Sequence, residues 1–201
     1  MSDLTALVGS RICHDLINPL GAIGNGMELL AMSAPAAAGV TGAEEMALIS
    51  DSVARANARI RMFRLAFGAA PPEARVAGHE LCEILAECYG GGRLSITADP
   101  PADMPRTLAK IALLAVLCAE TALPRGGRIA LRSTPGGMTL TADGPRLTLE
   151  PRLWAPLADA CPPPDGLRAA EVQFALLPRA VLDCGRQLAI GQDDTRLTLS
   201  F

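Results

Sequence analysis

The stretch His14-Asp15-Leu16-Ile17-Asn18-Pro19-Leu20 sets an imidazole beside a carboxylate, with a proline five residues on, inside a run of helical apolar spacing. Free imidazole, with a pKa of about 6.5, is a nucleophile at neutral pH that also departs readily. These are the two demands on a phosphoryl acceptor that must later release its cargo. One ring nitrogen attacks while the other keeps its proton, and an adjoining carboxylate orients the ring, offsets the cation that forms and exchanges a proton with it. Asp15 suits this chemistry, although neighbouring helical residues point about 100° apart and its side chain must curl back to reach His14. His14 and Asp15 are therefore the candidate catalytic pair.

Pro19 requires a reason, because a proline inside a helix removes a backbone donor and clashes with the preceding turn, at about 3 kcal/mol or more. The missing amide would have bonded the carbonyl of Asp15, so the distortion falls beneath His14, and Gly21, Gly24 and Gly26 add pliability. A helix bend that alters how His14 is presented is the expectation. Arg11, one turn above, is expected to meet an incoming phosphoryl group, with Asn18 beside it. Down the same face Asn18, Gly21, Ala22, Asn25 and Leu29 form an uncharged strip of little bulk, the candidate surface for docking another protein.

These residues need a helix to hold them. From Asp3 to about Met32, Cys13, Leu16, Leu20, Ile23, Met27 and Leu30 alternate spacings of three and four, a seven-residue seam. His14 lies about 100° around from Cys13 and is expected to face solvent. A loop rich in alanine, proline and glycine follows, and Thr41 with Glu44 reads as a capping box opening a second helix. Its seam is Met46, Ile49, Val53, Ala56, Ile60, Phe63 and Phe67, and Gly68 with Pro71-Pro72 ends it. Two such helices, each roughly 40 Å long, make an antiparallel hairpin. Leu4, Leu7, Val8, Ile12 and Ile17 broaden the apolar surface of the first beyond what one partner helix covers. Pairing two hairpins into a four-helix bundle resolves this and predicts a homodimer; the alternative is that the C-terminal region covers the face within one chain.

The whole chain of 201 residues is 50% apolar and 3% aromatic, with a net charge of -3 from interspersed acidic and basic groups. That is enough for one ordinary domain or two small ones. It leaves no electrostatic footprint for nucleic acid or an anionic membrane. No basic segment opens the chain, and the longest uncharged apolar stretch, Ile111 to Ala119, is too short to span a bilayer, so a soluble cytoplasmic protein is expected. Cys13, Cys82, Cys88, Cys118, Cys161 and Cys184 include no Cys-x-x-Cys pair, which argues against a zinc site and a disulfide framework and for small buried thiols.

Beyond the Pro71-Pro72 linker the pattern is mixed. It predicts a helix near Glu80 to Cys88, a strand at Leu94 to Ala98 and a long apolar helix from about Pro105 to Leu123. A hairpin of Ile129 to Ser133 with Met138 to Ala142 turns at Pro135-Gly136-Gly137. A helix between Ala170 and Cys184 and closing strands Gln187 to Ile190 and Arg196 to Phe201 complete the series. The fold class is α+β, a helical hairpin followed by a sandwich with helices on one face of a mostly antiparallel sheet. The other histidine, in His79-Glu80-Leu81, has Ile84 where the first motif has proline, and a surface or capping role is expected for it.

The heptapeptide His14 to Leu20 resembles the H-box of histidine kinases and related phosphotransferases: His, Asp or Glu, an aliphatic residue, two variable positions, Pro and Leu. Read from Ser10 to Ile23, with Asn25-Gly26-Met27-Glu28 following, the segment resembles the ChpT-type histidine phosphotransferases of alphaproteobacteria. The resemblance implies a dimerisation and histidine-phosphotransfer hairpin over residues 1–70. Residues 73–201 then correspond to a degenerate domain like the ATP-binding domain of histidine kinases. The asparagine that holds magnesium in those kinases falls near Cys118 or Ala119, neither of which offers the oxygen a hard cation wants. Asp143-Gly144-Pro145 resembles the start of the first glycine box without its second glycine. Asp165-Gly166-Leu167 stands where a Gly-x-Gly-x-Gly loop would cradle phosphates.

A phosphorelay intermediate is therefore expected, with His14 taking a phosphoryl group from one receiver-domain aspartate and giving it to another. By resemblance the donor is the receiver domain of a hybrid histidine kinase, and the acceptors are response regulators, including a cell-cycle transcription factor. This chain would bind no cofactor or metal of its own, magnesium being supplied by the partner receiver. The rival readings are an ATP-dependent histidine kinase with a divergent nucleotide site and a dimeric receiver-binding scaffold that carries no phosphate.

Overall fold

The computed structural model describes residues 3–33, 41–159 and 161–201. Helix α1 (Leu4–Ser33) runs unbroken through Pro19, and α2 (Thr41–Ala66) returns alongside it. The alanine-, proline- and glycine-rich connection and the side chain of the expected cap Thr41 lie outside the described residues. Where the two helices meet, Gly26 is buried and a side chain there would fall 2.6 Å from Ile49 Cγ1. The absence of a Cβ lets the helices approach closely at that level.

The expected single seam of α1 divides into two stripes. Leu16, Ile23 and Leu30, seven residues apart, are half-buried, whereas Cys13, Leu20 and Met27, also seven apart, are exposed, Leu20 and Met27 at 59% and 60%. Residues three and four apart straddle the axis of a seam, and one neighbouring helix covers only one side of it. The first turns of α1 meet a further neighbour: Leu4, Leu7 and Ile12 pack against the main core, which joins the last turns of α2 to the second half. The C-terminal region thus covers the start of α1 and leaves the lower stripe bare.

The second half opens with β1 (Arg75–Ala77) and α3 (Gly78–Tyr89), followed by β2 (Leu94–Asp99), β3 (Asp103–Pro105) and α4 (Arg106–Ala122). Then come β4 (Gly127–Thr134), β5 (Gly137–Asp143), α5 (Pro151–Ala158), a 3-10 turn (Ala169–Glu171), α6 (Gln173–Asp183), β6 (Ala189–Gln192) and β7 (Arg196–Ser200). A five-stranded sheet runs β2-β4-β5-β7-β6, parallel between β2 and β4 and antiparallel elsewhere, while β1 and β3 pair antiparallel in a small second sheet. The last hairpin strand sits two residues later than expected, because β6 pairs Ala189 with Ser200. The short strands β1 and β3 and helix α5 were not anticipated from the sequence.

Burial alternates along the strands, so Ile129, Leu131, Met138, Leu140, Ala142, Leu197 and Leu199 share the inner face. Against that face lies α4, whose residues Ile111 to Ala119 are all buried. A helix stretch apolar on every side is one enclosed on every side, and α2 and α6 close over it. Gly137 turns the β4–β5 connection at a φ of +153°, where a Cβ would lie 2.1 Å from the Phe201 carbonyl oxygen. Side chains of α4 also fasten the hairpin. Arg106 Nη2 donates to the Arg64 carbonyl at 2.8 Å and Lys110 Nζ to that of Gly68 at 2.9 Å, supplying donors to the C-terminal end of α2. Burial, then the charge of Arg106, lowers the Lys110 pKa.

Glu171, in the 3-10 turn, is 3% exposed and bonded by the side chain and backbone of Arg168 and by Arg152 Nη2 at 2.8 Å. Burial is the largest influence on its pKa and acts to raise it. The hydrogen bonds from Arg168, with those from Arg152, outweigh burial and hold the carboxyl at about 2, against an ordinary value of 4.5. A depressed folded-state pKa gives stability that is present above the unfolded value and lost as pH falls toward the folded one. Thermal unfolding followed from pH 5 to pH 2 is expected to show a progressive loss of stability that Glu171→Gln, less stable throughout, largely abolishes; parallel curves for the two proteins would contradict this role.

Candidate functional site

His14 stands on the outward side of α1 with its side chain 76% exposed, and its Nδ1 lies 3.1 Å from Asp15 Oδ1. The other oxygen, Asp15 Oδ2, accepts from Arg11 Nε at 3.0 Å, the one-turn spacing that brings residues four apart into contact. An ionised carboxylate only accepts hydrogen bonds, so the pairing assigns the proton to Nδ1 and leaves the Nε2 lone pair toward solvent. Asp15 curls back across the divergence of adjacent helical positions, as its proposed role in orienting the ring requires.

Arg11 is placed differently from the sequence expectation. Its side chain is 12% exposed, and Nη1 donates to the Ala170 carbonyl at 2.9 Å, so the guanidinium is turned into the junction with the 3-10 turn and away from open solvent. Pro19 faces inward too. With Asp15, Asn18 and Ala22 it lines one wall of a cleft of about 420 Å³, whose other wall is Ser52, Arg55 and Arg59 of α2 with Cys88 and Glu120 behind. Gly21, Asn25 and Leu29 are exposed on the outer surface, whereas Ala22 is half-buried at the cleft, so the expected strip is split between two surfaces. A Cβ added at Gly21 would meet no heavy atom within 4 Å, which marks open space two turns along the same face from His14.

Arg55 and Arg59 escaped the sequence reading. Their spacing of four on α2 and the antiparallel register opposite Asn18 and Asp15 are the signals that point to them. Arg59 lies with its guanidinium 5.1 Å from the Tyr89 ring centre, and Tyr89 donates its hydroxyl to Glu120 Oε2 at 3.0 Å. Burial opposes the charge on Arg59, yet Tyr89, Glu120, Cys88 and Asp15 together raise its pKa. Burial pushes the Tyr89 hydroxyl up and the Cys88 thiol to about 11. His79 is exposed in the first turn of α3 and meets none of these groups. Among the described residues no three His, Cys, Asp or Glu side chains converge to hold a metal ion.

Residues 78–196 match the family model for the histidine phosphotransferase C-terminal domain. The chain belongs to the histidine phosphotransferase family. A curated relative, the protein phosphotransferase ChpT of Brucella abortus (strain 2308), is 34% identical to this phosphotransferase over 179 residues, covering 85% of this chain and 81% of that one. A solved bacterial phosphotransferase superposes on it with a TM-score of 0.77 at 29% identity, covering 99% of this chain and 96% of the other. The histidine phosphotransferase is thus an enzyme of a phosphorelay, and the resemblance seen in the H-box extends over most of the chain.

Pro19 interrupts the backbone ladder without ending the helix. Pro19→Ala restores a donor to the Asp15 carbonyl and is expected to raise stability by up to about 3 kcal/mol, read from the midpoint of chemical denaturation. A variant no more stable than the wild type would show that α1 has fully absorbed the missing bond.

Proposed function

We propose that His14 is the phosphoryl carrier, exchanging the group between the aspartates of receiver domains. The observation that carries this reading is an exposed imidazole whose Nδ1 is held by Asp15, leaving Nε2 open, in a chain of the phosphotransferase family. The Nε2 lone pair attacks phosphorus as the bond to the donor aspartate breaks, and that oxygen keeps the electron pair as carboxylate. Delivery to the acceptor aspartate is the same displacement in reverse. Asp15 keeps the Nδ1 proton in place and offsets the positive charge of the ring. Magnesium belongs to the receiver in this scheme, and the donor is the receiver of a hybrid histidine kinase with response regulators as acceptors.

At about 3.6 residues per turn, the side chains of α1 sort into three faces about 120° apart. One, with Leu16, Ile23 and Gly26, packs within the hairpin; one, with His14, Asn18, Gly21 and Asn25, is the proposed receiver surface. The third, Cys13, Ile17, Leu20 and Met27, is exposed and apolar, and Met46, Val53 and Ile60, seven apart on α2, are exposed as well. A second copy of the hairpin on this apolar face makes a homodimer with a four-helix bundle. The receiver surface then stays open.

The kinase-like reading of the second half comes with loss of ATP chemistry. Cys118 and Ala119 are wholly buried and Leu167, after Asp165-Gly166, is buried as well, which supports a chain that takes its phosphate from a receiver rather than from ATP. A cytoplasmic setting agrees with cysteines that are all free, and no helix among the described residues is long and apolar enough to cross a membrane.

Two experiments test these readings. Incubation with a phosphorylated donor receiver is expected to place acid-labile phosphate on the wild type and none on His14→Ala. Relay through the alanine variant, or labelling from ATP alone, would overturn the carrier role or its dependence on receivers. Sedimentation is expected to show a dimer that Leu20→Lys with Met27→Lys converts to a monomer; a monomeric wild type at micromolar concentration would rule out the bundle.

A further inference from the structure

Hydrogen bonds form a continuous chain between the two halves of the molecule. Gln173, fully buried at the start of α6, donates Nε2 to the Ala170 carbonyl at 2.8 Å, with the Leu117 carbonyl of α4 at 3.5 Å. Its Oε1 is buried with no hydrogen-bond partner among the described residues. The amide therefore keeps an unpaired acceptor while its donor stays on Ala170. The same carbonyl accepts Arg11 Nη1, Arg11 Nε holds Asp15 Oδ2, and Asp15 Oδ1 meets His14 Nδ1. The acceptor sits on a firm support, because the 3-10 turn is pinned by buried Glu171 between Arg152 and Arg168.

We infer that Arg11 is a positioning residue through which the second domain, by way of the Ala170 carbonyl, sets the orientation and tautomer of His14. This rests on His14 being the phosphoryl carrier. A carboxylate adjacent to its histidine on a helix has other rotamers in which it faces away from the ring. Arg11 binds the outer oxygen and itself has a second anchor, so the inner oxygen is left facing Nδ1. The planar guanidinium suits this because it presents donors in two fixed directions, which an ammonium does not. The second domain thereby acts on the chemistry without touching phosphate.

Histidine-selective ¹⁵N NMR of the full chain reads two rings, His14 and His79, and His79→Gln assigns them. At a pH where the ring is neutral, the wild type is expected to show His14 protonated on Nδ1. In Arg11→Met that signal should move toward the tautomer mixture of free imidazole, with the same secondary structure by circular dichroism. Transfer from a phosphorylated receiver should slow about tenfold in kcat with KM little changed, the cost of a misoriented nucleophile. Arg11→Lys should recover part of the rate, and Gln173→Met should shift tautomer and rate in the same direction to a smaller extent.

The proposal is overturned if Arg11→Met leaves tautomer and rate within twofold of the wild type. It is equally overturned if the substitution raises KM alone, which would make Arg11 a receiver contact, or if Gln173→Met changes neither quantity. Should Arg11→Met not fold, Arg11→Lys and Gln173→Met give the same decision. Relay surviving His14→Ala would remove the carrier reading, and the spectra would still decide whether Arg11 orients the ring.

Discussion

Burial of every residue of α4 from Ile111 to Ala119 is the constraint on which the other placements depend. A helix enclosed on all sides leaves room for its neighbours only where its side chains are small, and Ala109, Ala112, Ala115, Ala119 and Ala122 provide that room. The sheet lies on one side and α2 and α6 on the others. Arg106 and Lys110 reach from α4 to the last carbonyls of α2, and Gln173 ties α4 to Ala170, whose carbonyl also takes Arg11 of α1, so both helices of the hairpin are fastened to the second half at its open end. The apolar packing that forms the second half thereby determines where α1 lies.

The site itself turns on a division of one carboxylate. Asp15 gives one oxygen to His14 and the other to Arg11, and the inward direction of Arg11 is what separates it from a general cationic surface. Pro19 and Ala22 face a cleft carrying arginines from the opposite helix, while His14 stands outside it. The two sides of α1 therefore differ in character over a single turn: buried and charged within, open and nearly uncharged without.

Much of this was legible in the sequence wherever periodicity was strong. The two hairpin helices, the apolar α4 and the β4–β5 hairpin occur close to where the residue pattern puts them, since each depends on a repeat several residues long. Strands of three residues, such as β1 and β3, carry too few positions for alternation to register, and α5 begins and continues with prolines that read as loop. The family was legible from the H-box. The direction of Arg11 was not, because its acceptor is a backbone carbonyl 159 residues away, and a carbonyl has no sequence signature. Arg55 and Arg59 were missed for a related reason: they become neighbours of Asp15 only through the register of the hairpin.

The main sheet ends in two edges, β6 and β2. At one edge β6 is only four residues long, contains Gly191 and runs directly into Asp193 and Asp194. At the other, β2 lies alongside α3, and Cys82 Sγ of that helix reaches the Ala98 carbonyl at 3.5 Å. Short, charged or covered borders are poor templates for a further strand. The ladder of this protein therefore ends within the molecule, so that growth of the sheet from copy to copy is disfavoured and contacts between chains are left to helices.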